Sequence, residues 1–240
     1  MSSELIINSS RDKSRIGLLK DKKLVEFHQE SDETKFNVGD IYVGKVKKIN
    51  KSLNAAFIDI GFEKDAFLHY LDLGPQFLSL KSFVKNVRGK GKVSYDSSKK
   101  LDDINKFGKI NEVLTKGDEI LIQVVKEPIS TKGPRVTTEL SLAGRYLILV
   151  SFSETINVSK KITKREERMR LINLIKSIRP KNFGVIVRTV AENKSVSELD
   201  KDLQSLTSIW KEGVKKIKKA KVGEKIICLL YTSPSPRDDR

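Results

Sequence analysis

The stretch that decides the fold is residues 52–70, "SLNAAFIDIGFEKDAFLHY", because it contains two short β-rich runs separated by a glycine-marked bend. Successive side chains of a strand point to opposite faces of a sheet. One face of these runs collects the small, aliphatic and tyrosine side chains of Ala56, Ile58 and Ile60, then Ala66, Leu68 and Tyr70. Phe57 and Phe67 fall on the other face, with Asp59 and His69. The pattern predicts two strands that bury one face and present two aromatic rings among polar groups.

The flanking segments extend this pattern into a small antiparallel barrel over residues 38–138. Short strands with Gly, Asn and Asp bends occur in residues 38–50, "VGDIYVGKVKKIN", and in residues 116–130, "KGDEILIQVVKEPIS". Such punctuated strands are typical of small barrels. Between them, residues 74–112 contain nine Lys or Arg against four Asp or Glu. We interpret this insertion as a solvated, mobile segment whose lysines either add nonspecific contact with a polyanion or only solubilise the surface.

The rest of the chain predicts two further parts and an α+β protein with several subdomains. Residues 1–37 contain three β-rich runs, "ELIINSS", "SRIGLLK" and "KLVEFHQE", which predict a meander too small to fold without docking elsewhere. Residues 139–228 alternate strand and helix patterns and predict an α/β region. Residues 229–240, "LLYTSPSPRDDR", break every earlier pattern and are interpreted as a non-native tail.

Two helices in the α/β region have specific signals. Apolar residues in "TKREERMRLINLIKSIRP" predict one buried stripe, formed by Met169, Ile172, Ile175 and Ile178. The last helix is expected to begin at a capping box, because Ser195 is followed three residues later by Glu198. Its Trp210 is expected in the core.

The charge of the chain points to a polyanionic partner. Its 240 residues include 47 Lys and Arg against 31 Asp and Glu, a formal net charge of +16, which favours nucleic acid over the weaker alternative of an anionic membrane surface. Cys228 is the only cysteine, which excludes a disulfide framework and a Cys-rich zinc site and favours a reducing cytosol. No apolar run is long enough to span a bilayer and no signal peptide is recognisable, so no membrane partner is expected.

Exposed aromatic rings on a basic barrel predict contact with unpaired bases. Each stacked base is worth roughly 1–3 kcal/mol and the contact tolerates any base. The alternative is that the insertion or the α/β region covers Phe57 and Phe67 as part of a core.

The order of several motifs resembles the bacterial ribonuclease E/G family. The first is "VGKVKKINKSLNAAFIDIGFEKDAFL", followed by "TKGPRVTTELSLAGRYLILV", "GVIVRT" and the helix that carries Trp210. The resemblance extends from Leu5 to about Ala220. It implies that residues 1–37 begin an RNase H-like subdomain, that residues 38–138 form an S1-type OB-fold RNA-binding domain, and that residues 139–228 form a small α/β 5′-sensor region.

The resemblance also assigns site residues. It implies that Phe57, Phe67 and Lys132 contact single-stranded RNA, and we expect His69 to lie beside them. For the pocket that recognises a 5′-monophosphate it implies Arg188, Thr189, Gly144 and Ile148. The residue types suit phosphate, since a guanidinium binds its oxygens bidentately, a hydroxyl donates, and glycine allows close approach. On the residues alone, an arginine at the end of a strand, such as Arg188, usually makes a surface ion pair, and it is the flanking "GVIV" and the distant "LSLAG" that favour the pocket.

The family implies a Mg²⁺-dependent, single-strand-specific endoribonuclease of rRNA and mRNA processing and decay in the bacterial cytoplasm. Its metal-binding aspartates belong to a subdomain expected beyond this chain, so we expect no catalytic or metal-binding residue here and no cleavage by this piece alone. Asp103 to Asn105, "DIN", is interpreted as a coincidental likeness to the family's metal motif. The expected partner is single-stranded RNA with a 5′-monophosphate, and the full-length protein is expected to be a homo-oligomer. The alternative is a non-catalytic S1-type RNA-binding protein.

Overall fold

The structure is a computed structural model that describes residues 3–9, 13–31, 36–89, 95, 98–129 and 132–228. The chain divides into two compact units, Met1–Asn37 and Val38–Arg240. The segment 229–240, interpreted from the sequence as a tail, lies outside the described residues.

The first unit is a three-stranded antiparallel sheet, which confirms the predicted meander. Its strands are β1 (Ser3–Ser9), β2 (Lys13–Lys20) and β3 (Lys23–Ser31), in the order β1-β2-β3. Asp21 and Lys22 make the tight turn between β2 and β3 with positive φ of 49° and 65°, as two-residue hairpin turns require. Several apolar side chains of this sheet are more than half exposed, namely Leu5, Ile6, Ile7, Leu24, Val25 and Phe27.

The second unit begins with a closed five-stranded barrel, compatible with an OB-fold. Its strands are β4 (Ile41–Asn50), β5 (Ala55–Asp59), β6 (Ala66–His69), β7 (Glu119–Lys126) and β8 (Arg135–Thr137). They pair in the order β4-β5-β6-β8-β7, and a β4–β7 pairing closes the ring. Ala56, Ile58, Ala66 and Leu68 are all 0% exposed. The faces predicted from alternation in residues 52–70 are therefore confirmed.

The insertion at residues 74–112 is not the structureless, solvated segment that we expected. It contains α1 (Phe77–Arg88) and a single turn, α2 (Ile110–Val113). The apolar residues of α1 recur every three or four positions and bury one face of the helix in the core, at Phe77, Leu80, Phe83, Val84 and Val87. The expectation was wrong because the count of lysines over the whole segment hid this stripe.

The insertion also carries Tyr95 into the core. The Tyr95 ring lies 4.5 Å from the centroid of Phe183, 4.7 Å from Phe152 and 5.1 Å from Trp210. Its hydroxyl donates to the carbonyl of Asn182 at 2.9 Å and accepts from the N–H of Phe152 at 2.7 Å. Tyr95 and α1 therefore belong to the same hydrophobic cluster as the region after the barrel.

The α/β region contains a four-stranded sheet and two helices, which confirms the α+β class. The strands β9 (Ser141–Ala143), β10 (Leu147–Ser151), β11 (Ile156–Val158) and β12 (Phe183–Val187) pair in the order β11-β12-β10-β9, with β11 parallel to β12. The helices are α3 (Arg165–Ile178) and α4 (Val196–Ile217). The capping box of Ser195 and Glu198 is present and Trp210 is 3% exposed, as predicted.

The buried stripe predicted for α3 is partly wrong. Met169 is 50% exposed, whereas Leu171 and Ile175 are fully buried. Each three-residue step falls about 60° short of a full turn, because an α-helix has about 3.6 residues per turn. Met169 and Ile178 therefore project from opposite sides, and the four residues of the predicted stripe are not on one face.

A last strand returns the chain to the barrel. β13 (Lys225–Ile227) pairs antiparallel with β4. The ammonium of Lys225 lies 2.5 Å from the carboxylate of Asp40, whose residue is 0% exposed. Just before β13, Gly223 and Gly61 have positive φ of 85° and 72°, and they approach so closely that a Cβ on Gly223 would clash with the backbone of Gly61.

Candidate nucleic-acid interface

A groove of about 690 Å³ lies against the two phenylalanines of the outer barrel face. Phe57 and Phe67, Lys132 and Arg135 all line it. Phe57 and Phe67 pair across β5 and β6, and their ring centroids are 5.9 Å apart at an interplanar angle of 69°. Both rings are partly exposed, so neighbouring elements do not cover them fully. The structure thus brings together three of the four residues expected to contact RNA.

The two rings are the centre of a row that crosses four strands. Lys48 of β4 pairs with Phe57, Phe57 pairs with Phe67, and Phe67 pairs with Arg135 of β8. With strands about 4.8 Å apart, the row is roughly 14 Å long. It places a cation at each end of an aromatic pair.

The sequence alone does not reveal Lys48 and Arg135 as site residues. A bulge between Val46 and Lys48 shifts the register of β4, so alternation counted from the start of the strand does not predict the face of Lys48. Arg135 reaches the row because β8, far along the chain, pairs in parallel with β6. Its guanidinium is held by Asp72, with Nε and Nη2 donating to the two carboxylate oxygens at 2.9 and 3.1 Å.

Lys132 and His69 extend the interface on either side of Phe67. Lys132 is exposed in the loop before β8, where its backbone exchanges hydrogen bonds with Ile129 at 2.9 and 3.2 Å. His69 lies two residues beyond Phe67 and is partly exposed. Its Nδ1 accepts from the N–H of Leu71 at 3.1 Å, so in the neutral ring Nε2 carries the proton. Among the described residues, Nε2 has no hydrogen-bond partner.

A second constellation lies where β12 ends beside the turn between β9 and β10. The N–H of Arg188 donates to the carbonyl of Tyr146 at 2.9 Å, and its Nη1 donates to the carbonyls of Gly144 at 2.6 Å and Arg145 at 3.2 Å. Thr189 and Ser159 share a hydrogen bond between their hydroxyls at 2.8 Å. The structure therefore places Arg188 against Gly144 and puts Thr189 next to it in the chain.

Ile148, the fourth residue expected in this pocket, lies on β10. It pairs with Ile186, two residues before Arg188, and is partly exposed. All four residues expected to recognise a 5′-phosphate thus lie at the same end of the two central strands, β10 and β12, of the four-stranded sheet.

Asp202 fixes the turn between β9 and β10 at this end of the sheet, and the sequence did not reveal it. Its carboxylate accepts hydrogen bonds from the backbone N–H groups of Arg145, Tyr146 and Leu147 at 3.1, 2.9 and 2.9 Å. A Cβ at Gly144 would clash with the same carboxylate. Because Asp202 occupies these three donors, an anion at this site depends on side chains rather than on the amides of the turn.

Glu167 anchors the segment that follows Thr189. Its carboxylate accepts from the N–H of Asn193 at 2.9 Å and from the Arg170 guanidinium at 2.7 and 2.8 Å. The hydrogen bond from Arg170 lowers the pKa of Glu167 to about 2, against the opposing effect of burial, and the Asn193 N–H adds to the lowering.

The pH dependence of unfolding of Glu167→Gln tests whether the Glu167 carboxylate stabilises the fold. A carboxyl whose pKa is lower in the folded state stabilises the protein above its unfolded pKa, and that stabilisation is lost as the pH falls through the folded value. We expect Glu167→Gln to unfold at lower urea concentration than the parent at pH 7, with the difference narrowing from about pH 4.5 towards pH 2. Glu166→Gln, an exposed neighbour, is the control. If the parent and Glu167→Gln differ in unfolding urea concentration by the same amount from pH 7 to pH 3, the ionised carboxylate does not stabilise the fold.

The described residues contain neither a metal-binding cluster nor a helix that could span a membrane. Over the described ranges there is no group of three or more His, Cys, Asp or Glu residues placed to hold a metal ion. Asp103 is exposed, and the backbone carbonyl of Asn105 accepts from the Tyr70 hydroxyl at 2.6 Å. No helix of the described segments is both long and apolar enough to cross a membrane.

Comparison with known proteins identifies the family of this chain. A profile of the Ribonuclease E/G family matches residues 141–235, and this chain belongs to that family. It is 33% identical over 223 residues to Ribonuclease G of Haemophilus influenzae, which covers 93% of this chain and 42% of the relative.

Two further relatives support the same family. Ribonuclease G of Escherichia coli K12 is 31% identical over 210 residues, covering 88% of this chain and 40% of the relative. Ribonuclease E of Synechocystis is 37% identical over 174 residues, covering 72% of this chain and 22% of the relative. The chain thus spans less than half the length of these relatives. The profile match enters the segment 229–240, whose interpretation as a tail stays a prediction.

Proposed function

We propose that this chain is the part of a single-strand-specific endoribonuclease that binds RNA and senses a 5′-monophosphate. The observation that carries the proposal is the row of Lys48, Phe57, Phe67 and Arg135 across the outer face of the barrel. Relatives named ribonuclease G and ribonuclease E support the activity of the parent protein.

The groove suits unpaired bases better than duplex. Two partly exposed rings offer aromatic surface to bases, and base–aromatic stacking needs bases that are free of a helix. The flanking cations of Lys48 and Lys132 attract the phosphates between the bases, which makes binding dependent on salt. Arg135 contributes less free charge because Asp72 pairs with it.

The end of the four-stranded sheet where Arg188 lies suits a terminal phosphate. Arg188 uses Nη1 for two backbone carbonyls, and within the described residues its Nε and Nη2 have no hydrogen-bond partner. A guanidinium held at one nitrogen and open at two others presents a fork to phosphate oxygens. The Thr189 hydroxyl lies next to it in the chain, and Gly144 keeps the wall of the pocket free of a side chain.

We assign phosphodiester cleavage to the parent protein rather than to these residues. The proposed reaction uses Mg²⁺ to activate water and to neutralise charge at phosphorus. We place its aspartate ligands in the portion of the relatives' length that this chain does not match. The proposed setting is bacterial rRNA and mRNA processing and decay in the cytoplasm, with a homo-oligomeric full-length enzyme.

Arg188→Ala tests the 5′-end sensor. At one fixed salt concentration, we expect the parent to bind single-stranded RNA with a 5′-monophosphate more tightly than the same RNA with a 5′-hydroxyl. Because charge-assisted hydrogen bonds are worth about 1.5–3 kcal/mol, Arg188→Ala is expected to weaken monophosphate binding about 10- to 100-fold. The 5′-hydroxyl RNA should bind both proteins alike.

Two controls separate recognition from charge. Arg188→Lys keeps the charge but loses the fork, so it should restore little of the preference. Lys211→Ala removes an exposed positive charge of α4 and should leave the preference intact. A parent protein that binds all RNA ends equally contradicts the sensor.

A non-catalytic S1-type RNA-binding protein is the second candidate. It is favoured by one observation, that Phe57, Phe67 and Lys132 all belong to the barrel and need nothing from the later sheet. Equal binding to all RNA ends, still dependent on the two phenylalanines, would make this candidate the better one.

A further inference from the structure

Three exposed apolar residues lie on chain segments that come together at one end of the barrel, and none of them lines the groove. Leu53 is 51% exposed, Leu71 is 62% exposed and Phe107 is 90% exposed, the highest value among the apolar side chains of the described residues. We call them the rim patch. Single exposed apolar residues are ordinary on protein surfaces, so exposure alone does not indicate a binding site.

A hydrogen-bonded junction holds together the three chain segments that carry the rim patch. Asn54 donates from its amide to the carbonyl of Gly108 at 3.1 Å and accepts from the N–H of Ile110 at 2.7 Å. Tyr70 donates its hydroxyl to the carbonyl of Asn105 at 2.6 Å and its N–H to the carbonyl of Asn54 at 2.9 Å. Each member of the rim patch is the chain neighbour of a junction residue.

The turn that carries Phe107 is itself constrained. The N–H of Phe107 donates to the side chain of Asn105 at 2.9 Å, and the N–H of Gly108 donates to the Asn105 carbonyl at 3.1 Å. A Cβ at Gly108 would clash with the Tyr70 hydroxyl. A fully exposed ring is therefore presented on a turn whose backbone is fixed, which lowers the entropy cost of binding to it.

The junction lies at the end of the same two strands that carry the groove. Asn54 precedes Phe57 by three residues and Tyr70 follows Phe67 by three, which is about 10 Å along a strand. His69 pairs with Ala55 between the two places. An OB-fold contacts roughly 4–16 nucleotides, so an RNA stacked on Phe57 and Phe67 can extend as far as the junction.

The rim carries three exposed lysines and three exposed acids, so the lysines that flank Phe107 in the chain, rather than a net charge, favour nucleic acid. Lys51, Lys106 and Lys109 are exposed beside the rim patch. Of the nearby acids, Glu112 is engaged by the backbone N–H of Lys109 at 3.2 Å, while Asp102 and Asp103 are exposed. A flat aromatic ring with lysines on both sides in the chain matches a base with its two flanking phosphates.

We infer that Phe107 is a second base-stacking platform to which single-stranded RNA held by Phe57 and Phe67 continues, with the exposed Leu53 and Leu71 on the neighbouring segments. The inference rests on the proposed RNA-binding function. It adds a contact from the insertion at residues 74–112, and it makes affinity depend on RNA length.

The test uses 5′-hydroxyl oligouridine, so that the 5′-end sensor does not contribute. Affinities of the full chain are measured for lengths of four and twelve nucleotides at one salt concentration. Phe107→Ala is expected to weaken binding of the twelve-nucleotide RNA at least about fivefold, the lower limit for one stacked base. The four-nucleotide RNA should bind unchanged. Phe107→Trp should bind the longer RNA at least as well as the parent.

Controls make failure of the inference distinguishable from failure of the proposed function. Met169→Ala removes another exposed apolar side chain, on α3, and should change neither affinity. If Phe57→Ala weakens both RNAs but Phe107→Ala weakens neither, the rim platform is overturned and the groove stands. If Phe57→Ala has no effect, the proposed function fails. A loss on Phe107→Ala that is equal for both lengths, or a change only in self-association, also overturns the platform.

Discussion

Replacing both groove phenylalanines, Phe57→Ala with Phe67→Ala, is expected to weaken binding of single-stranded RNA at least about 30-fold. The reason is that each ring offers a stacked base roughly 1–3 kcal/mol, and the two losses add to at least about 2 kcal/mol. The measurement is the affinity for a short single strand at fixed salt, with the corresponding duplex beside it. Because stacking needs unpaired bases, the variant should lose preference for single strands over duplex.

Salt dependence separates stacking from charge in this experiment. The phenylalanine variant should keep the slope of log affinity against log salt concentration, since it retains every cation of the groove. Lys48→Ala should reduce the magnitude of that slope by about 1, the value for one phosphate contact, and should reduce affinity less than the double phenylalanine variant does. Met169→Ala serves as an apolar control away from the barrel. Parent-like RNA affinity in a folded double variant would refute the groove as the RNA site.

Phe83→Ala is expected to cost about 3–5 kcal/mol of unfolding free energy, the largest effect of a single substitution proposed for this chain. Phe83 is 1% exposed, and its ring packs 5.3 Å from Tyr95 and 5.6 Å from Phe152. Truncating a buried phenylalanine removes transfer free energy and leaves a cavity. Urea unfolding of the chain measures the loss.

Lys85→Ala in the same helix is the matched control for Phe83→Ala. Lys85 is exposed, so its removal should change the unfolding free energy by less than about 0.5 kcal/mol. If both variants unfold at the same urea concentration, α1 is not part of the core and the segment behaves as the solvated insertion that its lysine content suggested.

Alternation and capping signals predicted most of the fold because they depend on near neighbours in the chain. The faces of residues 52–70, the three-stranded meander, the capping box at Ser195 and the burial of Trp210 needed only local spacing. The helix α1 was missed although its apolar spacing was visible, because its charge was averaged over 39 residues of insertion.

The site was less accessible to sequence reasoning for a different physical reason. Lys48 and Arg135 join Phe57 and Phe67 only through strand registers, one of them shifted by a bulge and the other set by parallel pairing across a large separation. Asp202 reaches the turn at Gly144 from α4, and no periodicity in the helix marks a carboxylate that accepts three backbone N–H groups. Contacts of this kind depend on tertiary structure.

The return of β13 to β4 sets a practical limit on dissecting the chain. A recombinant barrel ending near residue 138 would expose the edge of β4 and leave the buried Asp40 without the Lys225 ammonium. Removing one partner of a buried ion pair is strongly destabilising, and an uncovered strand edge promotes aggregation. Truncation boundaries for structural or binding work on this protein should therefore lie beyond Ile227, even when only the groove at Phe57 and Phe67 is of interest.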